Sequence, residues 1–264
     1  ILFVDVVKIL AMICVVGLDT TAGVRFLYAT CSMAIPWFFM ATGFLMDDRD
    51  YSWKYIVIKV FHILKYVIIA NLVYWLISWA FTGSFQVGSF LTGISILGEP
   101  PFWHFWFFGS LLIVYVLLPL FKMMRAYQLP VLFGLFLLLQ VIFLLNLFVN
   151  DGTPFEAKIP QAFRIYTWMF YCLLGGIMKC FMDRIPSVKI WFVLSVLVLN
   201  AIFQYLLTPG MNDIRCEYFY SSMVVVACCV IVFKYISQFS YERESLRRII
   251  SELSSVFLPV FTIH

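Results

Sequence analysis

Apolar runs close to the length of a membrane span recur nine times along the chain and fix its fold class before any single residue is considered. They cover residues 1–18, 31–46, 55–81, 103–124, 129–149, 164–182, 188–207, 218–236 and 249–264, the last incomplete. A hydrocarbon core about 30 Å thick calls for about 20 apolar residues rising ~1.5 Å each. Backbone polar groups in lipid must be satisfied within their own segment, so runs of this length become helices. Composition agrees: 64% of the residues are hydrophobic and 12% charged, against about 25% charged in a soluble domain. The expected fold is all-α, a polytopic membrane bundle of about 9–10 segments forming one membrane-embedded domain over 1–264. The second run is short and carries Pro36 and Gly43, which predicts a kinked or partly re-entrant helix.

Basic residues give the orientation. Loops after the second, fourth, sixth and eighth runs hold Arg49, Lys54, Lys59, Lys122, Arg125, Lys179, Arg184, Lys189, Lys234, Arg243, Arg247 and Arg248. The opposite loops hold only Arg25, Lys158, Arg164 and Arg215. Twelve against four places the first set, and with it the N-terminus, in the cytoplasm. The expected location is the cytoplasmic (inner) membrane, with multiple passes. The seven cysteines form no metal spacing; six lie in or against apolar runs and Cys216 lies in a polar loop, so they read as small apolar fillers. No cleavable signal peptide is visible. Glycine-rich phosphate loops, hydrolase elbows, metal-binding clusters and nucleic-acid motifs are absent from the sequence, so neither metal nor nucleic acid is expected.

Against that apolar background the ionisable residues stand out. Asp5, Lys8 and Asp19 fall in or at the end of the first run. Lys8 and Asp19 are eleven residues apart, about three helical turns, so they share a face within ~20° and lie ~16 Å apart along the axis. Charge inside a membrane segment is costly unless it faces the bundle interior, and it marks a functional site by default. The plainer reading is that Asp5 and Lys8 neutralise each other at one turn's spacing, which leaves Asp19 unexplained. His104, in Phe102-Trp103-His104-Phe105-Trp106, follows an outer loop at a depth matching Asp19. The pair would suit one outward cavity, with carboxylate orienting imidazole as a general base; the alternative is an interfacial histidine within an aromatic belt. On the inner side Lys54, Lys59, His62 and Lys65 recur along the third run. Such a strip suits a polyanion such as a nucleotide phosphate, and topology alone also places basic residues there. Gly175-Gly176 reads as a close helix contact.

Five stretches stand in order along nearly the whole length of the chain. Asp5 precedes Lys8 and Asp19, which are separated by ten residues. Next come Pro36-Trp37-Phe38-Phe39-Met40-Ala41-Thr42-Gly43-Phe44, and then His104, Trp106, Phe107, Tyr115 and Pro119. Phe163-Arg164, Trp168 and Phe170 through Gly176 follow, and Phe261-Thr262-Ile263-His264 closes the series. Together they resemble the type-3 membrane acyltransferases. The family's first helix has an acidic residue, then a basic residue, ten intervening residues and a histidine; its later signatures are Pro-hydrophobic-Phe-Phe-x-x-Ser-Gly-Tyr, a His-x-Trp-Phe helix, a middle signature and a C-terminal Tyr-x-x-His.

The resemblance implies O-acylation of a cell-surface glycan or glycolipid, with acetyl-CoA or another acyl-CoA as co-substrate. It implies Asp19 and His104 as the catalytic pair, and Lys8, Lys54, Lys59 and Lys65 as the holders of the coenzyme's phosphates. Asp5, Arg25, Tyr115, Arg164 and His264 complete the structural and substrate-pocket candidates. Asp19 departs from the family's histidine, the residue thought to be its base. An ordinary carboxylate holds its proton about 3.5 kcal/mol less tightly than an imidazole, so the substitution implies impaired transfer. Burial of the carboxylate would recover part of that difference. A proton-coupled transporter or flippase of glycan or lipid intermediates is the competing reading, since an intramembrane acid and base also fit proton coupling. No internal repeat supports it. A silent sensor or scaffold is the third, and oligomerisation is compatible with all three.

Overall fold

The structure is a computed structural model that describes residues 2–20, 24–46, 53–83, 90–91, 96, 98, 102–123, 127–148, 153–207, 216–239 and 244–256. Among these residues there is no strand. The α-helices are α1 (Leu2–Thr20), α2 (Arg25–Cys31), α3 (Ala34–Met46), α4 (Trp53–Thr82), α5 (Trp106–Met123), α6 (Gln128–Phe148), α7 (Ile165–Phe181), α8 (Ile190–Leu207), α9 (Met223–Ser237) and α10 (Glu244–Ser255). Five stretches are long and apolar enough to cross a membrane: Phe26–Met46, Trp53–Thr82, Trp103–Leu120, Gln128–Phe148 and Ile190–Leu207. Helices α7 and α9 are apolar and shorter. The protein is an all-α polytopic membrane protein.

Two boundaries differ from expectation for physical reasons. The second span starts earlier, at Phe26, and breaks at Ser32–Met33 rather than at Pro36. Ser32 turns its hydroxyl back onto the Ala29 carbonyl at 3.0 Å, a local bond that competes with helix continuation. Pro36 then falls in the first turn of α3, where a missing N–H costs little and the fixed φ suits a helix start. The ninth run was expected to begin a membrane segment at Ile249. That residue instead lies inside α10, a twelve-residue amphipathic helix with Glu244, Arg247, Arg248 and Glu252 on its polar side. Residues 257–264 lie outside the described residues.

Contacts group the chain into two units. The larger comprises Ile1–Arg49, Ala126–Lys158 and Tyr166–Phe257; the smaller comprises Asp50–Arg125, Ile159–Ile165 and Leu258–His264. In the larger unit, α1 packs on α3, α2 and α10 and α8 packs on α9 and α2. Val4, Val7, Ala11 and Val15 form the buried stripe of α1 at helical spacing. Its tightest junction joins α3 to α7. A Cβ on Gly43 would overlap the Cys172 carbonyl, and one on Gly175 would overlap the Met40 carbonyl. Each helix thus presents its glycine to the carbonyl three residues before the other's glycine. Phe39 stacks on Trp168 beside it, with centroids 4.9 Å apart. Lipid tails are as apolar as leucine, so helices in a bilayer associate through such close backbone approach and dispersion contact rather than through apolarity itself. A Cβ on Gly176 would sit 3.6 Å from the Gly43 carbonyl, an ordinary contact, so the pair serves packing.

Three helix ends meet in the larger unit. Phe3 at the start of α1 meets Phe44 at the end of α3 and Phe233 near the end of α9. The buried Lys234 of α9 donates to the Met182 carbonyl, just past α7, at 2.7 Å. A cation at a helix C-terminus satisfies carbonyls that have no partner in the helix. The smaller unit is built on α5, whose Phe107, Leu111, Val114 and Leu118 form its buried stripe and against which α4 packs.

Candidate functional site

The first-helix candidates lie in the larger unit. Lys8 Nζ stands 3.3 Å from Asp5 Oδ1, one turn away, with both side chains about a quarter exposed. The same carboxylate oxygen accepts the Ser254 hydroxyl of α10 at 3.1 Å. Asp5 and Lys8 therefore do neutralise each other. Position 19 falls in the last turn of α1, and the unbroken helix keeps it in line with Lys8. That line runs along the Val15 edge of the buried stripe and away from the exposed Leu10 and Ile13. The side chains of Asp19 and Arg25, and all of His264, lie outside the described residues.

His104 and Arg164 lie in the smaller unit, at the same end of α5. His104 occupies the 3-10 turn Trp103–Phe105 that leads into the helix. Its half-buried ring stands edge-on to Phe105 at 4.9 Å and to Phe102 at 6.1 Å. Arg164 follows the turn Gln161–Phe163, which packs on the first turns of α5. Ser110 Oγ lies 3.4 Å from the Ala162 carbonyl it donates to, and a Cβ on Gly109 would sit 3.4 Å from the Ala162 Cβ. The buried guanidinium donates through Nε to the Ile159 carbonyl at 3.2 Å. An imidazole and a cation at one end of one helix can supply proton transfer and oxyanion stabilisation. Tyr115 is half-buried nine residues further along α5, about 14 Å down the axis.

The lysine strip begins α4, which at thirty residues is ~45 Å long and exceeds the hydrocarbon core by about 15 Å. That surplus can carry the turns with Lys54, Lys59 and His62 out of the core. The strip divides. Lys54 and Lys65 lie within ~20° of each other and opposite the buried stripe of Ile56, Ile63 and Val67. Lys59 lies ~120° from Lys65, half-buried, with Nζ 5.6 Å from the Tyr55 ring centroid. His62 stands edge-on to Tyr66 at 5.1 Å. The helix thus presents Lys54 and Lys65 in one direction and holds Lys59 to the side, with His62 between them.

A buried carboxylate in the larger unit was absent from the sequence candidates. Glu156, only 2% exposed, accepts the Asn146 side-chain amide at 2.7 Å and the Tyr166 hydroxyl at 2.8 Å. Its backbone N–H donates to Asn146 Oδ1 at 2.9 Å, and Asn146 Nδ2 also reaches the Tyr218 carbonyl at 3.2 Å. This clamp joins the end of α6, the turn Phe155–Lys158, the start of α7 and the turn Cys216–Phe219. Asn146, one of three amide side chains in the otherwise apolar α6, was the signal in the sequence. Cys216, read from sequence as part of a polar loop, is buried, and burial pushes its thiol up to about 12, so it fills space as a neutral group.

A family model described as an acyltransferase domain, that of the type-3 acyltransferases, matches residues 1–264. No curated protein and no solved structure matches the chain.

Proposed function

The chain belongs to the type-3 acyltransferase family, and from that membership we propose that it moves an acyl group from acyl-CoA to a hydroxyl of a cell-surface glycan or glycolipid. The observation that carries the proposal is the match over the whole chain, 1–264, which includes every motif position discussed above. The N-terminus is cytoplasmic and the chain sits in the cytoplasmic membrane, in keeping with the twelve-to-four distribution of loop lysines and arginines.

In this reading the first turns of α4 meet the coenzyme's phosphates from the cytoplasm, a point-charge role that lysine fills well. Lys54 and Lys65 share one face of the helix for it, and Lys59 adds a third charge from the side. The acceptor oxygen attacks the thioester carbonyl as a general base removes its proton. The C–S bond breaks, and coenzyme A leaves as thiolate and takes up a proton. His104 is one base candidate, and Arg164, at the same end of α5, is the matching cation for the oxyanion. Asp19 stands at the family's histidine position and is the weaker base.

The test is acyl-CoA turnover by the purified chain in proteoliposomes, with a glycan or lipid extract as acceptor. The wild type should bind acetyl-CoA and transfer slowly, and Asp19→His should raise transfer by ~10²–10⁴, the usual worth of general-base catalysis. A carboxylate that works as the base gives the opposite pattern: Asp19→His no better, Asp19→Asn inactive. Failure of a correctly folded chain to bind or consume any acyl-CoA would remove the proposal.

A further inference from the structure

Helix α10 has three faces rather than two. Ile250, buried, and Ser254, bonded to Asp5, point at α1. Glu244, Arg248 and Glu252 occupy the polar side, where Arg248 and Glu252 pair at 3.0 Å. Between these faces runs an apolar stripe that nothing in the described structure covers: Leu246 is 41% exposed, Ile249 53% and Leu253 45%. At ~100° per residue the three fall within a ~60° arc adjoining Ile250.

We propose that α10 lies in the bilayer surface, with this stripe in the headgroup–acyl boundary on the side where α1 begins. Length and charge exclude a span: twelve residues reach ~18 Å, well short of a ~30 Å core. Location selects lipid as the occupant. The Ser254–Asp5 bond fixes α10 at the first turns of α1, whose own Leu10 and Ile13 are exposed. The stripe thus adjoins the face of α10 that packs on α1, a nineteen-residue, mostly apolar helix with exposed apolar side chains of its own. The same end of the unit carries Arg184 and Lys189 beside the Lys234–Met182 junction, a helix-end position typical of the interface. Helices with one apolar and one charged face settle in the interface plane, their apolar side ~5–10 Å deep. The inference is independent of the acyl-transfer reading; it rests on packing and exposure alone.

Site-directed spin labelling of the full chain in phosphatidylethanolamine–phosphatidylglycerol liposomes tests it. Leu246→Cys, Ile249→Cys, Leu253→Cys, Ser251→Cys and Ser255→Cys are each made in a Cys180→Ser background, since Cys180 is exposed. Labels at 246, 249 and 253 should collide with oxygen several-fold more than with a water-soluble nickel chelate, and labels at 251 and 255 should show the reverse. Equal nickel access at all five positions would overturn the proposal by placing the helix in water. Shielding of 246, 249 and 253 from both reagents would also overturn it, by showing that protein covers the stripe, as in a second copy of the chain. Circular dichroism on each labelled variant checks that the helix content is retained.

Discussion

Helix α3 buries eleven of its thirteen residues, whereas α4, the next helix in sequence, buries four of its thirty. Both are apolar enough for a bilayer, so apolarity does not separate them. Small residues do. Helix α3 has Gly43, where the Cys172 carbonyl leaves no room for a Cβ, with Ala34 and Ala41 in its thirteen residues, while α4 has no glycine and two alanines among thirty residues that are mostly large aliphatic and aromatic. The motif centred on Pro36 and Gly43 is therefore a packing signature. The basic residues of α4 sit on a helix whose packing leaves most of its surface open. One region carries the architecture and the other carries charge.

The comparison breaks most readily at the glycines. Gly175→Val or Gly43→Val should cause the largest effect, a loss of monodisperse folded protein in size-exclusion chromatography, because the new side chain meets backbone that cannot yield. Gly134→Val on α6 is the control: nothing lies within 4 Å of the added Cβ, and stability should be unchanged.

A smaller loss is expected at the buried clamp. Glu156→Ala removes the carboxylate that accepts from the Asn146 amide and the Tyr166 hydroxyl, at about 1–3 kcal/mol for a lost buried acceptor. Thermal unfolding should show a fall of several degrees, with Glu156→Gln between the wild type and alanine. On α4 the order reverses, with function affected and stability not. Lys59→Ala or Lys65→Ala should weaken acyl-CoA binding a few-fold at low salt, and the remaining affinity should be less salt-sensitive. Isothermal calorimetry at two ionic strengths decides this, and unchanged affinity in both variants would leave the lysines to topology alone. The smallest effect is expected at Cys216. Its thiol, raised to about 12 by burial, stays protonated below that pH, so maleimide should leave it unmodified up to pH 9 until the protein is denatured.

Much of the fold was legible because lipid imposes one rule on every segment. Runs 55–81, 129–149 and 188–207 became Trp53–Thr82, Gln128–Phe148 and Ile190–Leu207, each within two residues at either end. The rule gives no help where a helix is not a span. Ser32 broke the second run through a bond of its own side chain, and α10 took the first residues of an apolar run into an amphipathic helix. Of the candidate site, the Asp5–Lys8 pair followed from one-turn spacing. The Glu156 clamp did not, since its members come from four elements and only Asn146 stands out in its own run. The facing of the lysines depended on where α4 is buried, which composition alone does not reveal.

The reciprocal glycine junction has a mechanical consequence. Two helices in contact through side chains can slide or roll as rotamers change, but where main chain meets main chain no such slack exists. The junction of α3 and α7 behaves as a weld, and the residues rigidly attached to it, Phe39 and Trp168 among them, keep fixed mutual positions through any working cycle. Any movement in the larger unit must take place elsewhere, among segments that touch through side chains. The weld is the fixed frame against which that movement would be measured.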